Sequence, residues 1–471
     1  MNRFIFLLIA FVMPLMASAQ VEITSSTSKN STRIVFNRGG INSFNVEMRG
    51  KIELSDDDKD IKSISSDGYL EISKTTFGGK RTVVISPSAN GVKREYYEGH
   101  DKKDFEKDGG RQWLGEILPE LVRSTTIGAD ARVERFFKQG GTNAVLNEID
   151  KIDSDHVKTA YANLLMKQNI SEKDYPTIIS RFVSAVNSDH YRTEFLKNGL
   201  DKFLSTKEGT DALFAASAKM ESDHYKTVVI TEALNQKSPS LEAIKSILAA
   251  SNKMESDHYK TEVLTSLLRK NDLSDAIVSE MINSTKAIES AHYRAVVLTK
   301  ALGKSGLSST SFQRVLESVK DIDSDHYKTQ VLTTLLNNKL TNELNMQLVD
   351  VSNSIHSGHY QAVVLTDMLK NQSLNDEAFK KVVARAGQCD GDHYVTQILT
   401  SALQTRDLNS ARIQAVLNAS TNMDSDHYIT QVLTSAASKV RGDATLMDAY
   451  RQAAKKINST SYYGQVMRAI D

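Results

Sequence analysis

The chain has 471 residues, with 58 Lys and Arg balanced by 58 Asp and Glu. A length of this kind accommodates two or more domains or one long repeat array. The neutral balance, with no basic face, argues against nucleic acid or an anionic membrane as an electrostatic partner, and the single cysteine, Cys389, rules out an intramolecular disulfide, so stability must come from packing.

Residues 1–19 predict a cleaved secretory signal peptide. Arg3 supplies the positive start, Phe4 to Met16 the apolar stretch, and Ala17-Ser18-Ala19 the small-residue cleavage site. The apolar stretch is short for a membrane span, and no later stretch is apolar enough to cross a bilayer. With no cysteine near the cleavage point, a lipid anchor is not expected. The expected location is therefore periplasmic or secreted.

Residues 20–100 predict a small antiparallel β domain, a sheet or sandwich. "TRIVFN", "FNVEMRGKIEL", "GYLEIS" and "RTVVIS" alternate with period two, and Gly39-Gly40, Asp67-Gly68, Gly78-Gly79 and Asn90-Gly91 are turn signals. Asp56, Asp58 and Asp60 have the spacing of a calcium loop. Ile61 and Asp67, however, stand where such a loop needs its glycine and its final glutamate, so the expectation is a solvated acidic turn. Residues 101–150, with Trp113, Pro119 and "GADARVERFF", predict a helical connector and capping unit closed by Gly140-Gly141.

Residues 151–471 are an internal repeat. His156, His190, His224, His258, His292, His326, His359, His393 and His427 recur every 34 residues, with one interval of 33, and a tenth unit carries Ser461 in the histidine slot. Tyr191, Tyr225, Tyr259, Tyr293, Tyr327, Tyr360, Tyr394 and Tyr428 each follow a histidine. Counting from the histidine, position −4 is apolar and is expected to close a first helix. Position −2, Ser in nine units and Gly391 in the other, is expected to cap a second helix. Position −1, usually Asp, meets the positive helix end. Positions +5, +6, +9 and +10, such as Val263, Leu264, Leu267 and Leu268, mark one apolar side. Apolar–cap pairs at Leu273-Ser274, Leu307-Ser308, Leu340-Thr341, Leu374-Asn375 and Leu408-Asn409 start the first helices. The fold class expected is thus mostly α: an α-solenoid of about ten 34-residue αα-hairpin, HEAT-like repeats after a small antiparallel β domain.

Ser, Asp and His side by side invite a catalytic reading, but a nucleophile, a base and an orienting acid must meet as side chains at one point. Here they are consecutive at a helix start and are copied in every unit. Equivalent histidines about 8–10 Å apart on stacked helices cannot converge on one zinc ion. There is no hydrolase, zinc-peptidase, phosphate-loop or dinucleotide fingerprint. No enzyme activity, cofactor or metal is expected. Cys389 occupies a −4 slot held elsewhere by Met, Ile or Val, and reads as a core thiol. The repeated imidazole reads as a ladder, bonding to a backbone, Ser or Asp group of the adjacent unit, and His258→Ala should then lower the melting temperature. A His/Tyr ridge that binds a partner is the alternative.

The stretches "GKIELSDDDKDIKSISSDGYLEIS", "WLGEILPELVRSTTIGADARVERFFKQGG" and "IDSDHVKTAYANLL" resemble the extracytoplasmic β segment and helical repeats found downstream of BlaR1/MecR1-like membrane metallopeptidase sensors. The resemblance covers residues 50–168 directly and the later repeats by pattern. It implies an envelope signalling context. The peptidase motif and membrane helices of that family are absent here, so it carries over no catalytic residue. The expected function is an exported, non-enzymatic scaffold binding a protein or peptide in the cell envelope. A regulatory or sensor component acting with a membrane-bound partner is the second expectation, and an envelope hydrolase or metal binder built on the histidines is the third.

Overall fold

A computed structural model of the chain describes residues 21–28, 31–38 and 42–471, with side-chain environments from Phe44 onward. The signal-peptide segment and the Gly39-Gly40 turn lie outside the described residues. The chain forms two compact units, Met1–Gly199 and Leu200–Asp471.

The first unit opens with β1 (Val21–Ser28), β2 (Ser31–Arg38) and β3 (Asn42–Arg49). A short hairpin of β4 (Ile52–Leu54) and β5 (Ile61–Ile64) follows, then β6 (Tyr69–Thr76), β7 (Gly79–Ser88), β8 (Gly91–Glu98) and β9 (Asp101–Lys103). The seven long and edge strands form one antiparallel sheet in the order β1-β2-β3-β6-β7-β8-β9. Register places Val46 opposite Ile72, and Ile72 opposite Val83. The period-two alternation turns these residues, with Leu70, Ile85 and Tyr96, into one buried face. Helix α1 (Gly110–Ser124) packs Trp113, Leu114, Ile117, Leu118, Leu121 and Val122 into the same core. The sheet is therefore closed by a helix from the connector segment.

Helix α2 (Ala129–Ile149) breaks at Gly140 (φ −157°) and Gly141 (φ 62°). The helix packs with the helix Asp155–Leu165. The acidic turn differs from its expectation. Asp58 is buried, with φ 58°. Its carboxylate accepts from Arg132 at 2.9 and 3.0 Å and from Arg135 at 2.6 Å. Arg132 is itself buried and also donates to Glu148 at 2.8 Å and to the Tyr161 hydroxyl. Asp60 takes Arg94 and Arg111. Asp56 is exposed as expected, but Asp58 and Asp60 are not solvated: arginines more than thirty residues away converge on them, and Asp58 ties the β domain to α2. Burial alone would push the Glu148 carboxyl up, but hydrogen bonds from Arg123 and Arg132 hold it below the usual range.

Both units contain the predicted helical hairpins, and the chain is an α-solenoid preceded by a small antiparallel sheet. Second helices start at the predicted place: Asp155–Leu165 and Asp189–Asn198 in the first unit, Asp223–Gln236, Asp257–Leu268, Ala291–Leu302, Asp325–Leu335, Gly358–Asn371, Asp392–Ala402, Asp426–Val440 and Thr460–Ile470 in the second. Ser274, Ser308, Thr341, Asn375 and Asn409 cap the first helices through their side chains. Val263, Leu264, Leu267 and Leu268 are all buried. Two details change. The −4 residue lies past the first helix: Met220 follows a helix ending at Ser217, and its N–H donates to the Ser217 carbonyl at 3.2 Å. It is a buried plug under the loop. The −2 residue is the N-cap by backbone geometry, yet the hydroxyls of Ser222, Ser256, Ser290, Ser357 and Ser425 make no cap bond.

Candidate functional site

The repeated motif sits where one unit meets the next, and its residues divide the work. The −1 aspartate reaches across the joint. Asp223 accepts the N–H groups of Glu255 and Ser256 at 2.8 and 3.0 Å. Asp325 does the same for His356 and Ser357 at 3.0 and 2.9 Å, and Asp392 for Asp424 and Ser425 at 2.9 and 2.6 Å. Asp426 holds Asn458 and Ser459. Within the first unit Asp155 holds Asn187 and Ser188. These N–H groups precede the next second helix and point away from its ladder, so an ionised carboxylate is the partner they lack.

The +2 residue completes the clasp. Lys260 donates to the Ala287 carbonyl at 2.7 Å, Lys328 to Ser354 at 2.7 Å and Arg294 to Asp321 at 2.8 Å. Lys158 donates to Ala185 at 2.6 Å in the first unit. All four side chains are buried. Each cation meets a carbonyl at the C-terminal end of the next first helix, where the dipole favours positive charge. Position −1 thus binds positions −3 and −2 of the following unit, and position +2 binds its position −5. A basic residue at +2 recurs at the histidine's period from Lys158 to Lys328 and then gives way to Gln361, Val395 and Ile429. On an otherwise apolar side it is the signal that reading by hydrophobic periodicity missed.

Two joints lack the acid, and the last three lack the cation, with Gln361, Val395 and Ile429 at +2. Ala291 replaces the aspartate in one unit and Gly358 in another. At Gly358 a Cβ would lie 2.1 Å from the Asp390 carbonyl oxygen. The following chain therefore comes in directly against the backbone, with Gly391 at φ 90° as the next N-cap. Cys389 lines this joint, with Sγ 3.5 Å from the Gly358 oxygen, and burial pushes its thiol up. That is the environment of an inert sulfur.

The histidines stand outside the clasp. All nine imidazoles are exposed, and the tyrosines beside them are half-buried. In the second unit each ring lies against its own tyrosine and that of the next unit. His224 is 5.1 Å from Tyr225 and 5.7 Å from Tyr259; His258 is 5.1 Å from Tyr259 and 5.8 Å from Tyr293. His292, His326, His359, His393 and His427 continue the alternation through Tyr327, Tyr360, Tyr394, Tyr428 and Tyr462 at 5.4–5.9 Å. In the first unit Tyr191 lies between His156 and His190, at 6.0 and 5.2 Å. The Tyr259 and Tyr462 hydroxyls approach Nδ1 of His224 and His427 at 3.3 and 3.5 Å. Here, then, the imidazole meets the next unit's tyrosine, and the backbone bonds expected of it belong to Asp.

Among the described residues, no group of three or more His, Cys, Asp or Glu is placed to hold a metal, and no helix is long and apolar enough to cross a membrane.

No family model and no curated protein matches the chain. Among solved structures, a Puf4 variant bound to a Cox17 RNA 3′ untranslated-region recognition sequence is similar at 14% identity, over 64% of this chain and 100% of that one, with a TM-score of 0.29. A computationally designed self-assembling cyclic homo-oligomer is similar at 12% identity, over 68% and 94%, with a TM-score of 0.13. Those scores do not define a common fold, and the repeat architecture rests on this chain's own helices.

Proposed function

We propose that the chain is an exported, non-enzymatic α-solenoid scaffold that binds a protein or peptide in the cell envelope, with the His–Tyr ridge as its contact surface. The observation that carries this is the division of labour in the motif. Asp, joined in several units by Lys or Arg, already ties one unit to the next, yet nine units also present an exposed imidazole, and from His224 to His427 each packs against two tyrosines. Such rings give large, stiff, amphipathic contact area at little cost in side-chain entropy, which suits recognition. The apolar start of the chain and its resemblance to sensor ectodomains support the envelope location.

The test is retention of envelope proteins on the immobilised chain, compared with a His292→Ala/Tyr327→Ala variant. A partner retained by the parent and lost by the variant, at unchanged melting temperature, supports the proposal. A partner retained equally by both, or retention of RNA in place of protein, overturns it.

A further inference from the structure

The ridge is not chemically uniform along its length. One open groove runs across the second helices Asp392–Ala402, Asp426–Val440 and Thr460–Ile470. It is lined by His393, His427 and Tyr462 and, about one turn further along the same helices, by Gln397, Gln431 and Gln465, with the Gln431 side-chain nitrogen 2.9 Å from His427 Nε2 and threonine and serine hydroxyls beside them. No Asp, Glu, Lys or Arg lines it, in a chain where a quarter of residues are charged. The preceding second helix ends this patch, because Val363 stands at its glutamine position and Asp367 where Ser435 stands in the groove. All three glutamines occupy the same position, four residues after the histidine slot, and all are exposed.

A charge-free groove of repeated amides selects a ligand with unpaired amide groups and no need for counter-charge. The spacing narrows this further. Neighbouring packed helices lie about 8–10 Å apart. A polyproline II chain turns once in three residues of about 3.1 Å, so it offers an equivalent backbone group every ~9 Å. A β-strand offers one roughly every 7 Å and drifts out of step within two units. The polyproline II backbone has no internal hydrogen bonds, leaving its carbonyls open to glutamine donors, and its ridges seat between aromatic rings.

We propose that this groove binds an uncharged polyproline II segment of a peptide, with Gln397, Gln431 and Gln465 pairing its carbonyls at one turn per unit and the His–Tyr rings packing its ridges. The proposal rests on the ridge being the contact surface, and names the ligand of its C-terminal third.

The test is fluorescence anisotropy on the whole chain with three labelled, uncharged twelve-residue peptides, one proline-rich, one Gly/Ser-rich and one Ala-rich helical, and with a labelled neutral β-linked glucan oligosaccharide. The proline-rich peptide should bind at least tenfold more tightly than the others, insensitively to salt. Gln397→Ala/Gln431→Ala/Gln465→Ala should weaken it at least tenfold, whereas Gln414→Ala, on a first helix, should leave it unchanged. Because the three glutamines are exposed, an unchanged melting temperature confirms that the triple variant folds. Tighter binding of the glucan, equal binding of the Gly/Ser peptide, no binding of any peptide or an unaffected triple variant each overturns the proposal. If the His292/Tyr327 variant still loses its envelope partner in that event, the broader reading stands and only the ligand assignment falls.

Discussion

The molecule solves the problem of joining two surfaces twice, in different ways. Between the sheet and α2 the surfaces are unlike, and the junction is one dense node: Arg132, buried, between Asp58, Glu148 and Tyr161. Between repeats the surfaces are alike, and the junction is a small clasp of carboxylate to N–H, joined by cation to carbonyl as far as Lys328, that recurs with the period of the chain. A single node concentrates its stability in one residue, whereas copied clasps distribute it and tolerate a local exception. Burying the node is costly unless every charge finds a partner, so removing one member leaves the others stranded. A clasp uses main-chain groups that every sequence supplies, and needs only one acid at the right place.

The contrast can be broken or sharpened by substitution. Arg132→Met should have the largest effect, about 3–5 kcal/mol, because buried Asp58 and Glu148 lose the cation they share and keep only Arg135 and Arg123. Hydrogen exchange should show the loss in β4, β5 and α2 and leave the second unit protected; protection lost equally in both units would contradict a concentrated node. Gly358→Asp, which restores the usual acid, should destabilise by about 3 kcal/mol, since its Cβ meets the Asp390 carbonyl. Asp223→Ala should cost about 2 kcal/mol, the scale of charge-assisted bonds to two N–H groups. Ala291→Asp should act oppositely to Gly358→Asp and stabilise by about 1 kcal/mol by completing a clasp; denaturant unfolding of the three variants reads the signs directly. His258→Ala should be smallest, about 0.5 kcal/mol, because its ring is exposed on the ridge. A drop as large as that of Asp223→Ala would return the histidine to the joint.

The repeat, its two helices, their starts and the apolar stripe were legible because each depends on local spacing, which a period of 34 prints repeatedly. The ranking of residues within the motif was not. Histidine is rare enough to mark the period, and so drew the structural role to itself. Lys260 and Asp257, common residues on a charged-looking helix start, carry it instead. Which way a side chain turns at a helix start depends on the neighbouring unit's loop, and no spacing within one unit encodes that. The acidic turn failed for a related reason: Asp58 and Arg132 are 74 residues apart, and only the docked helix brings them together. At Gly358 the usual aspartate is missing, and that this is a joint of different geometry is recognisable only once the Asp390 carbonyl is placed beside it.

The clasp also has a direction. In every instance the carboxylate belongs to the earlier unit and the N–H groups to the later one, and the same holds for Lys260 and the Ala287 carbonyl. A chain emerging from its amino end therefore always has the anchoring acid in place before the loop that needs it is made. Each hairpin can dock on arrival, without waiting for anything downstream. That direction permits vectorial assembly, like a zip, in which each docking needs only about thirty-four further residues to be delivered.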